Sequence, residues 1–154
     1  MKLIKLSLVL MALSLFIACD KDDDNDVMQQ QFSTADVTAL SSITNVGTWR
    51  VSSFIEDGDN ITSVFSGFSF TFNDDGTLVV DNGTLTLNGT WQITYDDDRD
   101  DVEFEVSIST SMGDLDEDFD ELSEDWYIIT YSDTRIQLSE DDDDDDDILI
   151  LERI

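Results

Sequence analysis

A chain of 154 residues, 40% hydrophobic and 10% aromatic, has room for one ordinary domain and enough apolar material for its core, which argues against global disorder. Asp and Glu number 37 against seven Lys and Arg, and the resulting formal charge of −30 repels nucleic acid and anionic lipid headgroups. With no histidine and one cysteine, Cys19, the chain has no imidazole catalysis, no Ser-His-Asp triad, no intrachain disulfide and no Cys-rich zinc site.

Residues 1–18 read as an export signal. Lys2 and Lys5 precede an apolar run from Leu6 to Ala18 that, at thirteen residues, is short for a membrane-spanning helix. Leu15-Phe16-Ile17-Ala18-Cys19 resembles a bacterial lipobox, with Phe16 where leucine is usual. That resemblance implies cleavage before Cys19, lipidation of its thiol and attachment to the membrane through the acyl chains, each buried CH₂ contributing about 0.8 kcal/mol. The alternative is an apolar helix with an incidental buried cysteine. Residues 19–31 continue as an acidic, then Gln-rich segment that cannot fold alone and is expected to act as a flexible tether reaching roughly 20 Å. Its acidic cluster resembles signals that carry lipoproteins to the outer face of the outer membrane in some Gram-negative bacteria. A soluble linker whose charge opposes aggregation is the plainer reading.

Residues 32–154 are the expected folded body. Ser33 and Asp36 form a plausible capping pair, and Val37, Leu40 and Ile43 then recur at helical spacing, predicting a short N-terminal helix. From Gly47 onward the period changes to two. An opening strand runs around Trp49 to Ile55, and Phe68, Phe70 and Phe72 share one face of the next. Asn73-Asp74-Asp75-Gly76 supplies a turn before Leu78 and Val80, and Asn82-Gly83 is the strongest short hairpin signal. Leu85 to Tyr95 keeps one face, with Gly89 expected at a bend or bulge. Val102 to Ile108 alternates with Glu103, Glu105 and Ser107. In the segment after it, Leu115, Phe119 and Leu122 suggest an amphipathic turn or two over one mouth of the fold. Trp126 to Tyr131, Ile136 with Leu138, and Ile148 to Arg153 complete eight expected strands. Their close spacing leaves no room for crossover helices, so an all-β, eight-stranded antiparallel up-and-down barrel fits best, with a flattened sandwich as its competitor. Trp49, Phe68, Phe70, Phe72, Trp91, Phe104 and Trp126 are the candidate interior residues.

Gly47-Thr48-Trp49 resembles the Gly-x-Trp signature of the lipocalins. The series from it through Phe70–Leu78, Gly89-Thr90-Trp91-Gln92-Ile93, Leu122–Ile128 and Leu151-Glu152-Arg153 is similar to the bacterial lipocalin-like domain of small lipoproteins. The resemblance covers residues 47–154. It implies a barrel with Trp49 across its base near the helix, an envelope location and no established enzymatic activity.

No carboxylate pair, nucleophile or phosphate-binding loop stands out, so the chain is expected to be a non-enzyme without a cofactor. The run of seven aspartates from Asp141 to Asp147 includes Asp141, Asp143 and Asp145 as weak Ca²⁺ candidates, but it lacks the spacing of a dedicated loop and suits diffuse counter-ions better. Two functions are compatible with these features. The leading one is non-catalytic binding of a small apolar ligand in a barrel cavity of about 300 Å³ or more. The other is an accessory envelope lipoprotein whose aromatic interior is filled and whose outer surface meets a partner.

Overall fold

The computed structural model describes residues 32–97, 99–109, 119–140 and 147–154. Residues 1–31, which hold the signal, Cys19 and the tether, lie outside the described residues, as do Leu115 and the candidates Asp141, Asp143 and Asp145.

Helix α1 (Thr34–Thr44) starts where the capping pair places it. The Ser33 backbone N–H and hydroxyl both donate to the Asp36 carboxylate, at 2.9 and 2.7 Å. Its inward side carries Leu40 and Thr44, both fully buried. Tyr131 donates its hydroxyl to the other Asp36 oxygen at 2.6 Å, which ties the helix start to the sheet. That bond holds the Asp36 carboxyl below its ordinary range and pushes the Tyr131 phenol up to about 12.

The period-two region forms one antiparallel sheet of nine strands. They are β1 (Trp49–Glu56), β2 (Asp59–Asn60), β3 (Ser69–Phe72), β4 (Thr77–Asp81), β5 (Thr86–Asp96), β6 (Asp101–Ser109), β7 (Asp125–Ser132), β8 (Arg135–Ser139) and β9 (Ile148–Arg153). Strands β3 to β9 follow one another in order, and β9 returns to β1 from Trp49↔Arg153 to Ile55↔Ile148, closing the sheet into a ring. The fold is therefore all-β with a short helix, and a sandwich of two separate sheets is not formed.

The strand count corrects the expected eight. Its extra member, β2, pairs only with the end of β1, at Ile55↔Asn60 and Glu56↔Asp59. It is polar on both sides and turns back through Asp57 (φ 50°) and Gly58 (φ 80°), so no apolar alternation announces it.

Two irregularities keep the apolar residues facing inward. A register shift between Val51 and Ser53 lets Trp49, Val51 and Phe54 all reach the interior despite their uneven spacing. A second, between Ile128 and Thr130, leaves Ile129 exposed and brings Tyr131 against Phe32, their ring centroids 6.3 Å apart. The Asn82-Gly83 hairpin is present but longer than a two-residue turn. Only Gly83 has positive φ, and Asn82 Oδ1 accepts the Thr84 and Leu85 N–H groups at 3.0 and 2.8 Å. Gly89 marks no bulge, because β4, β5 and β6 stay in continuous register around it. A Cβ there would lie 2.2 Å from the Ser107 carbonyl oxygen, so the residue is small because two backbones approach closely.

Candidate functional site

Three places could carry function: the interior of the ring, the seam between β1 and β3, and the ring end away from α1.

All seven candidate interior residues are buried, from 0% exposed for Trp49, Phe104 and Trp126 to 8% for Trp91. Their rings pack against one another. Phe72 meets Trp91 and Phe104 at 5.5 Å in edge-on geometry, and Phe54 meets Trp126 at 5.6 Å. At the helix end Trp49 donates its indole N–H to the Thr44 carbonyl at 2.9 Å. The Arg153 guanidinium lies 4.9 Å from the Trp49 ring centroid and donates to the Ile43 carbonyl at 2.7 Å. At the opposite end Phe119, expected over a mouth, is fully buried and meets Phe65 and Phe68 edge-on at 5.3 Å. The short turn at 119–121 thus plugs this end. Trp126 fixes it from below by donating to the Leu122 carbonyl at 3.2 Å.

The seam is where ring closure is thinnest. Strands β1 and β3 share one paired position, Trp49↔Phe70, and the chain between them leaves the sheet as a 3₁₀ turn, Thr62–Phe65. The Thr62 hydroxyl lies 2.7 Å from the Phe54 N–H, which donates to it, so the upper part of β1 is covered. Below it a groove of about 700 Å³ opens, with Arg50, Val51 and Ser52 on one wall and Ser66 to Ser69 on the other. Thr62, Ser63 and Phe65 close its top and Ile154 its base. Among the described residues no Asp or Glu side chain lines it, although the chain holds 37. The one charged side chain among its described lining residues, Arg50, pairs with Glu152 at 2.8 Å, so the groove is a window of low side-chain charge in an acidic protein. Composition alone did not reveal it. The signal available was Ser66-Gly67-Phe68-Ser69, a stretch free of acids in a chain crowded with them.

The end away from α1 brings several carboxylates close together. The Asp57 N–H donates to Asp147 Oδ1 at 2.9 Å, and Asp147 itself is buried. Burial pushes the Glu56 carboxyl up to about 8, helped by its hydrogen bond to Glu121 and by the negative charges of Asp147, Glu121 and Asp57. Burial and the acids Asp125, Glu121 and Asp120 likewise raise Glu124. Among the described residues no group of three acidic side chains is arranged to hold a metal ion.

The fold places the chain in the class of small, ring-closed antiparallel β proteins. It is similar in structure to a DUF4847 family protein from Bacteroides vulgatus ATCC 8482, with a TM-score of 0.51 and 17% identity over 73% of this chain and 96% of that one. At that identity the likeness concerns the fold alone. No protein-family model matches the chain, and neither does any curated protein.

Proposed function

We propose that this chain is a lipid-anchored envelope lipoprotein, held at the outer membrane through Cys19 and exposed at the cell surface. In this reading its body is a lipocalin-like up-and-down barrel that acts without catalysis, through its outer surface. The observation that carries the reading is the buried aromatic interior, in which Phe54 packs on Trp126, Phe72 on Phe104 and Phe119 on Phe65, ring centroids 5.3 to 5.6 Å apart. A barrel of this size holds either its own side chains or one small ligand. The N-terminal charge, apolar run and Ala18-Cys19 junction support the anchor. Two of the seam hydroxyls are engaged structurally, Ser52 donating to the Ile150 carbonyl and Ser69 to that of Asp81, which supports a binding surface over a catalytic one.

Expression of the full chain and of Cys19→Ser in a Gram-negative host tests the anchor. The parent should fractionate with the outer membrane and carry the mass of added acyl chains, and the variant should do neither. A parent with an unmodified thiol would overturn the reading. Carriage of a small apolar ligand is the second reading, favoured by the volume of the seam groove and by Val51, Phe65 and Phe68 in its lining. Native mass spectrometry of protein extracted from its own envelope separates the two, since only a carrier brings a lipid or metabolite with it in one-to-one amount.

A further inference from the structure

The geometry of the seam points to strand addition: we propose that the groove between β1 and residues 66–69 receives an extended segment of a partner protein, which pairs with the exposed edge of β1. The inference deepens the outer-surface reading and rests on it.

A ladder that continued from Trp49↔Phe70 would set Val51 opposite Phe68 and Ser53 opposite Ser66. Neither pair forms. Gly67, at φ 87°, turns the chain away, and no backbone hydrogen bond joins 50–53 to 66–68 among the described residues. On its groove side β1 is paired below at Trp49 and above by β2 and the Thr62 hydroxyl. The interval between is open for about four residues, roughly 13 Å of strand. Its other edge is fully engaged by β9.

Natural sheets protect open edges with charges, proline or a covering element. This chain has acids in abundance, yet no Asp or Glu stands among the described residues that line the seam. An edge whose one charged side chain among the described residues, Arg50, is already held by Glu152, with hydroxyls beside it and phenylalanines beneath, suits a ligand that offers main-chain donors and acceptors with small or apolar side chains. The acidic surface around the window selects for basic residues at the ends of that segment. A second copy of the chain meets the opposite condition, since two such surfaces repel.

The test uses the full chain and a blocked hexapeptide, acetyl-Lys-Val-Thr-Val-Thr-Lys-amide, followed by backbone amide NMR. The expected result is saturable binding with shifts concentrated in 50–53 and 66–69 and slowed amide exchange there. A peptide of the same sequence and charge with alternate backbone nitrogens methylated should bind at least tenfold more weakly, because strand pairing needs those N–H groups. Equal binding of the two peptides would mean adsorption to acidic loops and would overturn the proposal. So would shifts outside the seam, no binding at millimolar peptide, or seam shifts that follow protein concentration alone, the last identifying a second copy as the occupant. A missing anchor at Cys19 would leave the peptide result unchanged, so the two failures are distinguishable.

Discussion

Replacing Gly89 with alanine probes how tightly the ring is drawn at its longest pairing, β5 against β6. The added methyl would stand 2.2 Å from the Ser107 carbonyl oxygen and 3.1 Å from Ile108 Cα, and both obstacles are backbone. Relief requires the two strands to part by about 1 Å where Gly89 faces Ile108 on one side and Leu78 on the other. Overpacking of this kind costs about 1–3 kcal/mol, and weakening a ladder hydrogen bond adds about 1 kcal/mol. Alanine recovers about 0.4–1 kcal/mol by restricting the unfolded chain. The balance is a loss of about 1–3.6 kcal/mol, or roughly 4–14 °C in Tm for a domain of this size. Thermal melts followed by circular dichroism measure it. Gly83→Ala serves as a control, because nothing lies within 4 Å of its Cβ position and only the strain of φ +81° remains. A Gly89→Ala shift under 3 °C, or one no larger than the control, would refute the close approach of β5 and β6.

Phe119→Ala should lower stability by about 3–4 kcal/mol, seen as a shifted urea midpoint at unchanged slope, because the ring is fully buried against Phe65 and Phe68. A near-neutral result would show that the segment rests on the mouth as a gate and does not plug it. Glu56 supplies a pH dependence. Its folded pKa of about 8 lies above the ordinary 4.5, so the folded state holds the proton more tightly and stability falls as pH rises through that interval. Tm measured from pH 4.5 to 8.5 should decline less in Glu56→Gln than in the parent, with the variant the more stable at pH 8.5. Parallel curves would remove Glu56 as the cause.

Much of the body was legible from the chain alone because its signals are short-range. Ser33 and Asp36 start the helix within one turn, Asn73 to Gly76 and Asn82-Gly83 reverse the chain between neighbouring strands, and the alternation of Phe68, Phe70 and Phe72 needs no distant partner to set its inward face. The inward placing of Trp49, Phe68, Phe70, Phe72, Trp91, Phe104 and Trp126 was legible in the same way. What stayed hidden depends on residues far apart in sequence. The pairing of β1 with β9, the register shift that turns both Val51 and Phe54 inward, the burial that raises the Glu56 carboxyl, and the backbone contact that forbids a side chain at Gly89 exist only once the ring has closed. The seam belongs with them. Gly67 ends the ladder past Trp49↔Phe70, but the groove this leaves exists only because β9, far along the chain, holds the other edge of β1.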